Sequence, residues 1–174
     1  MPEMKRKMKI LFLCTGNSCR SQMAEGFTRV LKGDLFEPFS AGVAARGVDL
    51  RAVRAMAEAD VDISSQTSKD LKQITDRSFD YVVTVCNKAK ESCPVFPGRT
   101  KLIHKGFDDP PDLAAGASSE EEAMSHYRRV RDEIRAFIEG MPEVLEAPGR
   151  EASKSTAEAI KGFLTSIDLK GEQK

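Results

Sequence analysis

The sequence predicts an α/β protein built on a parallel sheet, and three observations lead there. Short apolar segments alternate with longer amphipathic ones along the chain. The short segments hold the β-branched and aromatic residues, as in Tyr81-Val82-Val83-Thr84-Val85. The first of them, Ile10-Leu11-Phe12-Leu13, runs straight into a tight loop and a helix start, the opening of a strand-helix-strand unit.

The elements follow in order. After the first strand, Met23, Phe27, Val30 and Leu31 fall on one face of a helix. Leu35 to Ser40 reads as the second strand, closing at Ala41-Gly42. Leu50, Val53, Met56 and Ala57 repeat the helical spacing before Ile63, and a short helix is expected around Ser68 to Ile74. Asp80 to Cys86 supplies the third strand and Lys101 to His104 the fourth. Ser118 and Ser119, each with a glutamate three positions on, predict a capping box. The helix it opens carries Ala123, Tyr127, Val130, Ile134 and Phe137 as a core-facing stripe.

A chain of 174 residues, 40% hydrophobic and 31% charged, suits one catalytic-sized domain, assigned to residues 1–140. Residues 141–174 read as a linker, marked by Met141-Pro142 and Pro148-Gly149, and a C-terminal helix with the stripe Ala157, Ile160, Phe163, Leu164 and Ile167, expected to dock on the domain. Its 27 basic and 27 acidic side chains cancel, so neither nucleic acid nor an anionic membrane is attracted by overall charge. No apolar run is long enough to cross a bilayer. Met1 to Lys9 is basic but is not followed by a signal-peptide pattern, so a cytoplasmic monomer is expected.

Chemistry concentrates in Cys14-Thr15-Gly16-Asn17-Ser18-Cys19-Arg20-Ser21. A loop between a strand end and a helix start turns backbone N–H groups toward a shared centre, where the helix field favours negative charge. Thr15, Gly16, Asn17, Ser18 and Cys19 would line that centre, and Arg20 would close it with a planar cationic fork. The field that holds an oxyanion also favours a thiolate on Cys14, which makes it the expected nucleophile. Gly16 and Asn17 are expected to accept unusual backbone angles, and the Ser21 hydroxyl to donate to the Cys14 sulfur.

The four cysteines stand at 14, 19, 86 and 93. Without a signal peptide they argue for redox or nucleophilic work rather than structural disulfides. Zinc is disfavoured, because no Cys-x-x-Cys occurs and His104 and His126 form no close pair. Neither a dinucleotide glycine fingerprint nor a Walker lysine loop occurs, so no tightly bound organic cofactor is expected.

Residues 14–26, CTGNSCRSQMAEG, resemble the active-site loop of the thioredoxin-coupled arsenate reductases, which share their fold with the low-molecular-weight protein tyrosine phosphatases. The resemblance continues through Ser40-Ala41-Gly42, Tyr81 to Cys86, Gly106-Phe107-Asp108-Asp109-Pro110 and Val130-Arg131-Asp132-Glu133-Ile134. It implies a flavodoxin-like three-layer sandwich with strand order 2-1-3-4, which would set Cys86 beside the Cys14 loop. It also implies a relay in which Cys86 and then Cys93 resolve an arsenic adduct on Cys14, with Asp109 before Pro110 as general acid and thioredoxin or a similar dithiol protein as external reductant. The polar segment between Cys86 and Cys93 reads as exposed and mobile, and the two cysteines meet only if it bends or unwinds.

By the same resemblance Asn17, Glu25 and Ser40 match oxygen ligands of a weak monovalent cation site, but Lys69 stands where a further acidic residue often completes it. Two other functions compete with reduction. One is hydrolysis of phosphotyrosine or small phosphomonoesters; Gln22, in a place where the phosphatases commonly have proline, and the paired Cys86 and Cys93 weigh against it. The other is a redox-sensing oxyanion-binding protein without turnover.

Overall fold

The computed structural model describes residues 3–76, 78–96 and 98–146. The described residues form a four-stranded, all-parallel sheet in the order β2-β1-β3-β4. Its strands are β1 (Met8–Cys14), β2 (Phe36–Gly42), β3 (Tyr81–Thr84) and β4 (Lys101–His104). This is the flavodoxin-like order that the family resemblance implies.

β1 is central and nearly all apolar because it is covered on both faces, and Ile10, Leu11 and Phe12 are wholly buried. Its register sets Cys14 opposite Gly42 on β2 and Leu13 opposite Thr84 on β3. The carboxyl ends of three strands therefore finish at one level, the place where doubly wound sheets bind ligands.

Helix α1 (Arg20–Lys32) leaves the loop after β1 and packs on β1 and β2, while α5 (Glu120–Glu139) lies against α1, α2 (Leu50–Glu58) and α4 (Pro110–Ala115). Ser119 caps α5 by accepting from the Glu122 N–H at 3.1 Å. Glu122 answers by accepting from the backbone and hydroxyl of Ser118 instead of from the cap residue. The predicted box thus forms with its reciprocal bond moved one residue back.

Several expectations are corrected. Residues 21–28 of α1 are all buried, but burial stops at Arg29 and Val30 is 59% exposed, because the last turn runs out beyond the packed layer. In α2 the buried face is Ala52, Ala55 and Met56, with Leu50 83% exposed and Ala57 at the surface. Leu50 is the first residue of α2, directly after its cap Asp49, and lies off the face formed by Ala52, Ala55 and Met56. The expected helix at 68–74 is a single 3-10 turn, Leu71–Gln73, capped by Asp70. The α5 stripe ends on buried Ile138, while Phe137 is half-buried and meets Phe107 edge to face at 6.1 Å.

The chain divides into compact units at 1–141 and 142–174. In the second, α6 (Glu143–Glu146) is described, and the predicted linker and helix beyond residue 146 lie outside the described residues. No helix among the described residues is long and apolar enough to cross a membrane.

Candidate active site

The loop after β1 is shaped mainly by its neighbours. Its carbonyl oxygens are drawn outward one after another. Those of Cys14, Thr15 and Gly16 accept from the N–H groups of Val43, Ala44 and Arg46, and that of Ser18 from Asp49. The Asn17 carbonyl accepts from Gln22 Nε2 at 3.0 Å. Because N–H and C=O point opposite ways across a trans peptide, carbonyls pulled outward leave the N–H groups facing the concave side. That orientation is the one an anion cradle requires.

Two glycines make the arrangement possible for different reasons. A Cβ on Gly42 would sit 2.7 Å from Asn17 N and from Thr15 O, so β2 ends backbone against backbone with the loop. Of the two loop residues expected to accept unusual backbone angles, Asn17 takes a left-handed conformation at φ 45° and Gly16 does not. At Gly16 the missing Cβ leaves room for the Arg46 side chain, whose Cδ would lie 3.2 Å away.

Polar side chains then hold the loop still. Asn17 donates to Ser21 Oγ at 2.9 Å, and its Oδ1 accepts from Lys69 N and from Gln22 Nε2. Gln22 also reaches Thr67 O and accepts from Gln66, so its matching place to the phosphatase proline serves as a hydrogen-bonding hub. Asp49 caps α2 through Oδ1 and accepts from the Tyr127 hydroxyl at 2.6 Å through Oδ2. Burial and Asp49 push the Tyr127 phenol far up, so it stays a donor.

The Cys14 sulfur is buried, 2.8 Å from Ser21 Oγ. Since Asn17 already donates to that oxygen, the Ser21 proton is free to point at the sulfur. Arg20 Nη1 donates to Phe107 O at 2.9 Å, and Nη2 lies 3.4 Å from Asp109 Oδ1. The N-cap of α4 is Asp109, but its side chain makes no cap bond and is left over the loop. Burial raises the Asp109 carboxyl above its ordinary value, against the pull of Arg20 and with help from neighbouring Asp112.

Cys86 does arrive at the same crevice. Its sulfur lies 3.3 Å from Thr15 Oγ1, one residue from Cys14, and accepts from Ala89 N at 3.4 Å as the N-cap of α3 (Asn87–Glu91). The segment to Cys93 is thus a short helix rather than a loose loop, tied inward by buried Ala89 and exposed elsewhere. Cys93 is half-buried, which pushes its thiol up. Cys19 is buried at the start of α1, and burial holds its thiol well above the usual value, in keeping with a packing role.

The monovalent cation expectation fits poorly. Asn17 Oδ1 is committed to the loop, and the Lys69 ammonium, donating to Thr67 O at 2.7 Å, acts on the Glu25 carboxylate. Burial raises Glu25, and Lys69 and Arg29 oppose that rise. Ser40 Oγ is buried and makes no hydrogen bond of ordinary geometry among the described residues, although its hydroxyl lies close enough to Glu25 to favour the carboxylate. The positive charge a bound ion would supply is already present. Among the described residues no cluster of three metal-ligating His, Cys, Asp or Glu side chains occurs.

Thr15, Gln22, Arg46 and Asp112 are the site residues that sequence reasoning did not single out for these contacts. Their signal was position alone, one residue after the nucleophile, in the first turn of α1, in the loop after β2, and three after Asp109.

A loop of this form can hold a tetrahedral oxyanion against a thiol, and the fold is one on which enzymes carry such a loop. Residues 9–150 match the family described as low molecular weight phosphotyrosine protein phosphatase, and the chain belongs to it. Its relatives include an arsenate reductase of Halalkalibacterium halodurans, 47% identical over 137 residues, covering 79% of this chain and 96% of that protein. An arsenate reductase of Bacillus subtilis is 48% identical over 125 residues, 72% of this chain and 88% of that one. Among solved structures, an arsenate reductase in its phosphate-binding state superposes with a TM-score of 0.60 at 28% identity, over 77% of this chain and 95% of the other. A low molecular weight protein tyrosine phosphatase from T. tengcongensis gives 0.62 at 27%, over 79% and 99%.

Proposed function

We propose that this protein reduces arsenate to arsenite with a three-cysteine relay, drawing electrons from thioredoxin or a similar dithiol protein. The observation that carries the reading is the Cys86 sulfur, poised 3.3 Å from Thr15 Oγ1 at the rim of the Cys14 loop. Hydrolysis has no use for a second sulfur there. The relatives named arsenate reductase support the same choice.

Arsenate binds the loop N–H groups of Thr15 to Cys19 and the Arg20 fork, and the Cys14 thiolate attacks arsenic. Asp109 gives its proton to the departing oxygen, so water leaves instead of hydroxide. The Cys86 thiolate then attacks the Cys14 sulfur. A Cys14–Cys86 bond forms, the S–As pair stays on arsenic, and arsenite departs reduced by two electrons. Thr15 and the Ala89 N–H steady the negative charge on Cys86 before attack, as Ser21 does for Cys14.

Cys93 next attacks Cys86 and frees Cys14. Disulfide-bonded residues hold their Cα atoms roughly 4.4–6.8 Å apart, whereas a helix advances about 1.5 Å per residue. The step therefore opens α3, whose bonds Lys90 N–Cys86 O and Ser92 N–Lys88 O are few and surface-exposed. Opening carries the Cys86–Cys93 disulfide outward to the external dithiol.

The deciding assay is arsenate-dependent NADPH oxidation with thioredoxin and thioredoxin reductase, with arsenite quantified and a phosphomonoester run alongside. Arsenite formed in proportion to NADPH supports the proposal. Phosphomonoester turnover without arsenite would replace it with hydrolysis.

A further inference from the structure

Arg46 stands on the rim of the pocket without a role in the chemistry above. Its backbone is fixed at three consecutive positions. Ala45 N donates to Asp70 Oδ1 at 2.8 Å, Arg46 N donates to Gly16 O at 2.9 Å, and Gly47 takes a left-handed φ of 86° that only glycine adopts freely. The stem of the side chain lies across the loop at Gly16, where any Cβ would crowd its Cδ and Cγ.

The charged end is exposed and has no ion pair among the described residues. Several other surface arginines differ. Arg51, Arg128, Arg129 and Arg135 each hold a carboxylate. The Arg46 charge also opposes the rise of the Asp109 carboxyl, the smallest of the influences on that group. An uncompensated cation whose backbone and stem are seated against the loop at Gly16 attracts anions toward that loop.

We propose that Arg46 is a capture residue for doubly charged inorganic oxyanions: it meets the incoming dianion at the rim and delivers it to Arg20 and the loop N–H groups. The missing Cβ of Gly16 then gives this side chain its clearance. The assignment rests on the oxyanion reading of the Cys14 loop and extends it to substrate entry and selectivity.

The test uses the full chain, reduced, as parent, Arg46→Gln and Arg46→Lys, titrated calorimetrically with inorganic phosphate at low and high salt. Arg46→Gln should weaken phosphate about tenfold at low salt, a difference of ~1.4 kcal/mol, with the gap closing at high salt as the charge is screened. Arg46→Lys should keep most of the affinity. In arsenate turnover the Gln variant should raise KM by a similar factor with kcat changed less than about twofold, the signature of lost ground-state binding. Equal phosphate affinity in parent and Arg46→Gln overturns the assignment. So does a gap that survives high salt, or a Lys variant as weak as the Gln variant, since either would mean the stem matters and the charge does not. Phosphate binding by the parent without arsenate reduction would defeat the proposed reaction while leaving the titration to judge Arg46.

Discussion

Replacing Asp109 by asparagine tests the proposed acid directly. The carboxyl sits above the loop, its side chain 32% exposed, with Oδ1 3.4 Å from Arg20 Nη2. Burial raises it, Arg20 and Arg46 oppose the rise, and Asp112 adds to it. A raised value keeps the acid form present to higher pH, and the form is lost as pH climbs through that value, so the rate of the first step should fall on the alkaline side. Asparagine keeps the size and removes the proton. A positioned acid supplies roughly 10²–10⁴ in rate. The lower limit, about 2.7 kcal/mol, suits a side chain this exposed. The assay is single-turnover arsenite release across pH for parent and Asp109→Asn. Their ratio cancels the ionisation of arsenate itself, and it should be largest at low pH and shrink as Asp109 ionises. A loss under about fivefold, or a ratio flat across pH, would refute the assignment.

Four further outcomes follow from the geometry. Cys93→Ser should give at most one arsenite per protein with thioredoxin as reductant, read by product burst, and sustained turnover would reject the relay. Tyr127→Phe should cost about 1.5–3 kcal/mol in urea unfolding, because it removes a neutral donor from the Asp49 carboxylate, and an unchanged midpoint would count against the Tyr127–Asp49 bond. Asp112→Asn should shift the alkaline fall of the single-turnover rate to lower pH, since it removes a carboxylate that raises Asp109. Activity in potassium and sodium at equal ionic strength should agree within about twofold, because a bound ion stabilises only where a site exists, and a large potassium gain would contradict the Lys69 reading.

The fold was legible because parallel strands buried on both faces must be apolar throughout, as Ile10 to Cys14 is. The heart of the site was legible because Cys14 and Arg20 lie on one continuous loop and helix start. Contacts across the chain were not. Nothing in Thr15 announces Cys86, 71 positions away, and only the strand order joins them. Periodicity also misplaced Val30 and Leu50, since a repeat identifies a face but not how far the neighbouring layer covers it. Gly16 was read as a conformational need when the requirement is room for Arg46.

The meeting of Gly42 with the loop limits how this site can change over evolutionary time. Where even a Cβ on Gly42 would fall 2.7 Å from the backbone of the loop, no larger side chain finds space without moving main chain, and the cradle resists gradual remodelling. Divergence toward new substrates must then proceed at the surrounding positions, with the central mould inherited whole.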